Sequence, residues 1–279
     1  MAAGPGSDRR RHAPLGKAHQ MATRSETVQN LRKVFASFGE VVGRIPAEGW
    51  QVQSLCPAWT VRGVVHHVTT VESALVGWRP GGDSPFSAMP AIAEELAQLD
   101  DAALLARYQD ITALRLEDLA TMTEVEFEEP SITPVGPGTY AGFMRIRVFD
   151  IWVHERDIRV PLGLSGDDSG PAAEMSLDEV QSSIGFIVGK KIGLADGSSI
   201  QIELTGPVTR TLCARVDGRA AAVGVLDDPT ITLSMDSLTF IQLACGRIDP
   251  EGPIADGRVT WSGDEALAAH AARHLAFTM

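Results

Sequence analysis

Apolar residues recur at intervals of three and four along residues 23–45, at Val28, Leu31, Phe35, Phe38, Val42 and Ile45. That period keeps one face of an α-helix hydrophobic and predicts a first amphipathic helix. Residues 50–59 interrupt it with an irregular connector. Thr60, three residues after Pro57, then offers a hydroxyl that can accept a hydrogen bond from a free amide of the first turn, so a second helix is expected to run from there to about Trp78. The Pro- and Gly-rich residues 79–90 read as a loop. Leu96, Leu99, Leu104, Leu105, Tyr108, Ile111, Leu114 and Leu119 carry helical periodicity to about Met122, with a break near Asp100. An acidic stretch over 124–130 and the turn residues Pro134, Gly136, Pro137 and Gly138 close that region, and a fourth helix over 139–160 stops at Pro161 and Gly163. Four helices with no strand between them predict a helical bundle.

The pattern changes after Leu164. Ser165, Gly166, Asp167, Asp168, Ser169, Gly170 and Pro171 form a polar linker, and a domain boundary is expected there. A helix over 172–192 precedes strand-like alternation at Ile200, Ile202 and Leu204, at Leu212, Ala214 and Val216, and at Ile231 and Leu233. Asp217 and Gly218 supply a hairpin turn. A helix over 236–245, a strand over 259–261 and a helix over 264–277 complete the chain. The expected fold class is therefore α+β: a four-helix bundle over residues 23–163, then a separate small α+β domain over residues 172–279. Residues 1–22, with Gly4, Pro5, Gly6 and the run Arg9, Arg10, Arg11 and no apolar segment, read as a disordered leader.

Composition narrows the function classes. A chain of 279 residues can bury two cores, and 44% hydrophobic with 22% charged residues is ordinary for a folded protein. No apolar run reaches the roughly 18 residues of a membrane span. A formal charge of -12 argues against binding nucleic acid or an anionic membrane. Cys56, Cys213 and Cys245 are odd in number and widely spaced, unlike a disulfide framework, which points to a reducing, cytoplasmic setting.

The chemistry concentrates on two helices. On the second, His67 shares a face with Val64, Val71 and Ala74 and turns into the bundle, whereas its neighbour His66 falls with Arg62, Thr69, Thr70 and Ser73. On the fourth, Asp150 and His154 lie one turn apart on one face, flanked by Arg147 and Asp157. A buried carboxylate beside a buried imidazole needs compensation; a divalent cation held by Asp150 and His154 would supply it, with a third ligand expected from another helix. Spacing alone leaves open a packed core histidine and a simple Asp–His ion pair. Asp157 could orient a histidine ligand or be a solvated residue near the helix end. Cys56, between Leu55 and Pro57, reads as a packed small hydrophobe; Trp50, Trp59 and Trp152 read as core or pocket wall. Arg147, Arg247 and Arg258 are candidates for holding a substrate carboxylate.

Two motifs carry a family resemblance. Ser54-Leu55-Cys56-Pro57-Ala58-Trp59-Thr60-Val61-Arg62 with Val64-Val65-His66-His67, and Asp150-Ile151-Trp152-Val153-His154-Glu155-Arg156-Asp157-Ile158-Arg159, resemble the signatures of mycothiol-dependent maleylpyruvate isomerase-like proteins, which belong to the DinB-like metal-binding bundles. Segments 228–233, 245–247 and 257–264 resemble the sterol-carrier-protein-like domain that follows the bundle in such proteins. The resemblance implies that His67, Asp150 and His154 are the ligands of a divalent metal, with zinc the expected ion. It departs at Ala58, where glycine is usual, at Gly63, where aspartate is common, and at Asp150, where the isomerase has the longer glutamate. Two neutral imidazoles and one carboxylate leave a zinc site at net charge +1 with an open fourth position that favours an anion. The resemblance fills that position with the thiol of mycothiol, a low-molecular-weight thiol of actinomycetes, and the bias of 20 arginines to four lysines fits a GC-rich host of that kind. The expected function is thiol transfer to, or isomerisation of, a small electrophile; a hydrolase using bound water and a non-catalytic protein for an apolar ligand are the alternatives.

Overall fold

The computed structural model describes residues 22–278. The expected leader over residues 1–22 lies, but for Ala22, outside the described residues. The first helix, α1 (Arg24–Gly43), starts at a capping box in which the Thr23 hydroxyl accepts from the Glu26 amide while the Glu26 carboxylate accepts from the Thr23 amide. A 3₁₀ turn and an isolated bridge between Gln53 and Thr60 lead into α2 (Val61–Leu75), whose first turn is capped by Thr60 accepting from the Gly63 amide at 3.2 Å. The next helical region divides, as its periodicity predicts, into α3 (Met89–Ala97) and α4 (Asp101–Thr121), with Asp100 as the N-cap of α4. A one-turn helix α5 (Glu124–Phe127) follows, and α6 (Tyr140–Arg159) closes the set. Helices α1, α2, α4 and α6 pack as a bundle and α3 crosses the outer face of α2. Leu31, Phe38, Val64, Val68, Leu104, Phe143 and Ile151 are fully buried between them.

One expectation fails inside this region. Residues 130–139 form an antiparallel hairpin, β1 (Pro130–Thr133) and β2 (Gly136–Thr139). Four-residue strands are too short to show alternation, and the turn residues that signal the end of a helix also let the chain reverse, with Gly136 at φ 111°.

The C-terminal part begins with α7 (Gly170–Ser182). The expected single helix over 172–192 breaks at Ser183 and resumes as α8 (Ile184–Phe186) and a π-helical turn (Ile187–Ile192). The break lets Gly185 and Gly189 press on the following sheet: an added Cβ would stand 2.8 Å from the Ala220 carbonyl oxygen and 2.9 Å from the Ala220 Cβ respectively. The sheet comprises β3 (Ser199–Thr205), β4 (Arg210–Asp217), β5 (Arg219–Val223), β6 (Ile231–Asp236) and β7 (Thr260–Gly263), in the order β5-β4-β3-β6-β7. Only β3 and β6 run parallel; Gly218, at φ 62°, makes the β4–β5 turn. Helices α9 (Ser237–Ala244), α10 (Glu251–Ala255) and α11 (Glu265–Arg273) complete it. The last helix ends four residues before Phe277, whose amide donates to the Ala244 carbonyl instead.

An N-terminal helical domain thus precedes a sheet-containing C-terminal domain, and apolar packing continues from one to the other. Helix α7 contacts α1 and α6 on one side and α9 on the other. Among the described residues no helix is long and apolar enough to cross a membrane. The Thr60 cap fixes the start, and so the phase, of the helix that carries His67. Thr60→Ala should cost about 1 kcal/mol of stability, read as a lower urea midpoint with unchanged slope.

Candidate metal centre

Helix phase brings the three expected residues together. His67 on α2 faces Asp150 and His154 on α6, and one donor atom from each lies within 4.8 Å of the others. His67 Nε2 stands 3.8 Å from Asp150 Oδ2, and His154 Nε2 stands 3.6 Å from Asp150 Oδ1. Both separations are too long for hydrogen bonds. They are close to the donor spacing of about 3.4 Å that a tetrahedral ion with bonds of about 2.1 Å requires. The donor set therefore fits a divalent cation after small movements of the side chains. His154 is buried, while His67 and Asp150 keep about a quarter of their side-chain surface exposed, leaving a way in.

Each donor is held from behind. His154 Nδ1 lies 2.8 Å from Asp157 Oδ2. A carboxylate oxygen only accepts, so a proton sits on Nδ1 and Nε2 is the ring nitrogen left to serve as a metal donor. Trp59 stacks on the His67 ring, centroids 4.5 Å apart at 25°. Gly63 makes this stacking possible, since a Cβ there would fall 2.9 Å from the Trp59 Cβ. Asp150 Oδ2 accepts from Arg147 Nη1 at 2.9 Å; Arg147 Nε donates to Glu72 Oε1 at 2.7 Å, and Arg115 Nε to Glu72 Oε2 at 3.2 Å. Glu72, Arg115 and Arg147 are essentially buried. The chain of charges ties α2 to α6 at the level of the donors and joins α4 to both.

The electrostatics suit a cation. Burial opposes ionisation of Asp150, but Arg147 and the two histidines outweigh it and hold this carboxyl well below the usual carboxylate range. Burial pushes His67 below the ordinary imidazole value against the pull of Asp150, so the ring is neutral and available as a donor. Burial also raises the thiols of Cys56 and Cys245, the latter to about 12, which suits packed rather than reactive cysteines.

Other expectations are refined. His66 is not on a solvated face: its Nε2 lies 2.9 Å from the Ala93 carbonyl oxygen and pins α3 to α2. Next to His67 this leaves a cleft of about 340 Å³ lined by Trp59, Gly63, Thr70, Met89, Pro90 and Ala93 together with the two histidines. Trp152 lies under the Arg156 guanidinium, 3.2 Å from the ring centroid. Of the three candidate substrate arginines, Arg147 is committed to Glu72 and Asp150, Arg247 to Asp157 and the Cys245 carbonyl, and Arg258 to Asp256 and Thr239. Sequence reasoning misses Glu72 and Arg115. The available signal is a charge on an apolar stripe: Glu72 falls three and four residues after the buried Thr69 and Val68, and Arg115 lies four residues from Ile111 and Leu119.

Comparison with known proteins follows the same division. Residues 31–159 match the mycothiol maleylpyruvate isomerase N-terminal domain, and residues 174–270 match the corresponding C-terminal domain. Crystal structures of the mycothiol-dependent maleylpyruvate isomerase and of its histidine-to-alanine mutant each align over 86% of this chain and 93% of theirs, with TM-score 0.60 and 18% identity, a likeness of fold. Sterol carrier protein 2 from Yarrowia lipolytica aligns over 37% of this chain and 92% of its own at 13% identity and TM-score 0.27, too slight a likeness to carry the sterol-carrier expectation further. No curated protein matches the chain.

Breaking the buried charge chain at its middle leaves Glu72 and Asp150 without their shared cation. Arg147→Met should lower stability by about 3–5 kcal/mol in urea unfolding. Replacing Glu72 and Arg147 together with Leu and Met should not recover that loss, because it also leaves the fully buried Arg115 without its carboxylate.

Proposed function

The chain belongs to the mycothiol maleylpyruvate isomerase family, and on that footing we propose that it is a metal-dependent enzyme that uses mycothiol to isomerise, or to transfer the thiol to, a small electrophilic substrate. The observation that carries the proposal is the convergence of His67, Asp150 and His154, which bring one donor atom each within 4.8 Å of the others. A divalent cation there, zinc being the expected ion, would carry net charge +1 with these donors and would stabilise an added thiol in its anionic, nucleophilic form at neutral pH.

The chain's own residues supply the rest. Asp157 keeps the proton of His154 on Nδ1, so that Nε2 stays a donor. Arg147 holds one oxygen of Asp150 and restricts its rotation. Trp59 shields one face of His67, and the cleft beside it, walled by Met89, Pro90 and Ala93, receives the electrophile. In isomerisation the thiolate sulfur adds to one carbon of a conjugated double bond, the resulting single bond rotates, and the carbon–sulfur bond breaks to return thiolate and the isomer. In transfer the carbon–sulfur bond persists and the substrate carbon takes up a proton.

One metal per chain is expected by elemental analysis. His67→Ala, Asp150→Ala and His154→Ala should each lose most of it, whereas His66→Ala should retain it because that ring serves the contact with Ala93. Turnover of a mycothiol-reactive electrophile should require both thiol and metal. Metal retained by all three alanine variants, or turnover that proceeds without thiol, would defeat the proposal, the latter in favour of hydrolysis.

A further inference from the structure

The carboxylate that orients His154 is held in turn by the C-terminal domain. Asp157 lies on the last turn of α6 with a side chain only 1% exposed. Arg247 Nε approaches its Oδ1 at 3.0 Å and its Oδ2 at 3.1 Å, across ninety residues of sequence. Arg247 is itself held firmly. Its amide donates to the Gln242 carbonyl at 2.8 Å, closing the end of α9, and its Nη1 donates to the Cys245 carbonyl at 2.8 Å. Gly246, at φ 64°, makes the turn that aims it. The main chain at Asp157 also bears on the site, because its carbonyl oxygen accepts from the Leu55 amide at 3.0 Å and so anchors the loop that carries Trp59 over His67.

We propose that Arg247 is a positioning residue for the metal centre, acting through Asp157 on His154, so that the metal site is completed by the C-terminal domain rather than by the bundle alone. This rests on the metal reading given above. The physical reason is that a buried carboxylate must have its lone pairs satisfied. With Arg247 present, Asp157 is gripped on both oxygens and its Oδ2 presents a fixed acceptor to His154 Nδ1. Without Arg247, Asp157 keeps His154 Nδ1 as its side-chain partner, and the carboxylate loses the contact that holds its orientation toward the imidazole. Orienting partners of this kind, removed singly, typically weaken metal binding by about 10–100-fold.

The test uses the full chain, stripped of metal and titrated with zinc against a competing chelator, and separately with cobalt to read the visible spectrum of the site. Arg247→Met and Asp157→Asn should each weaken zinc binding by about 10–100-fold and change the position or intensity of the cobalt bands. The double variant should be little worse than either single one, because both break the same relay. Arg247→Lys, which keeps the charge but not the planar fork, should recover part of the affinity. Circular dichroism of the metal-free variants identifies any that fail to fold; for such a variant, the cobalt spectrum of Arg247→Lys decides. Unchanged affinity and spectrum in Arg247→Met, or fully additive losses in the double variant, would overturn the proposal. So would a rise in KM alone with intact metal binding, since that marks Arg247 as a substrate contact. If the parent chain binds no metal, the underlying functional reading fails first, an outcome distinct from a parent that binds metal and an Arg247→Met variant that binds it equally well.

Discussion

The structure depends on the compensation of charge around α6, which is buried on nearly every side over its last two turns. Arg147, Asp150, His154, Glu155, Arg156, Asp157 and Arg159 all come from twenty residues of one helix, and all but Asp150 are buried. Charges taken out of water on this scale are tolerated only when paired with good geometry. Each pairing therefore dictates what must lie next to α6. Arg147 requires Glu72 from α2, Asp157 requires Arg247 from beyond α9, and Arg156 and Arg159 require Asp168 from the segment leading into α7. The helix is less an amphipathic strut than the point at which bundle, linker and C-terminal domain meet.

Within this array the donor triad keeps two ring nitrogens beyond hydrogen-bonding distance of the carboxylate between them. The other buried acids on α6, Glu155 and Asp157, each have an arginine at hydrogen-bonding or ion-pair distance. Asp150 has Arg147 on one oxygen and, beyond it, two ring nitrogens at 3.6 and 3.8 Å. A divalent cation would be compatible with the hydrogen bond of Asp157 and the stacking of Trp59, which use other atoms or faces of the two rings. The same arrangement divides the work between residues. Buried groups hold position, while His67 and Asp150 keep about a quarter of their side-chain surface exposed and His67 lines the cleft.

Much of this is legible from periodicity. The phase of α2 and the four-residue spacing on α6 bring His67, Asp150 and His154 to one place, because ideal helix geometry holds where caps such as Thr60 and Thr139 set the start. The strands β3, β4 and β6 are legible for the same reason, through alternate burial. What stays hidden depends on contacts that local pattern does not encode. The hairpin of β1 and β2 is too short for a period, and the break at Ser183 answers to the closeness of Gly185 and Ala220, 35 positions apart. The partners of Asp157 and Arg147 lie 90 and 75 residues away. Arg247 reads in the sequence as a possible substrate arginine; its commitment to Asp157 becomes visible only when the two domains are seen together.

The central claim is that one divalent ion joins His67, Asp150 and His154 and leaves a position for a thiol. X-ray absorption at the zinc edge of the zinc-loaded full chain, before and after addition of mycothiol, tests it most directly. The account predicts a four-coordinate shell of nitrogen and oxygen at about 2.0–2.2 Å with two imidazoles, in which one oxygen scatterer gives way to a single sulfur at about 2.3 Å when the thiol is added. A shell without histidine scattering, or one that gains no sulfur at saturating thiol, would contradict it.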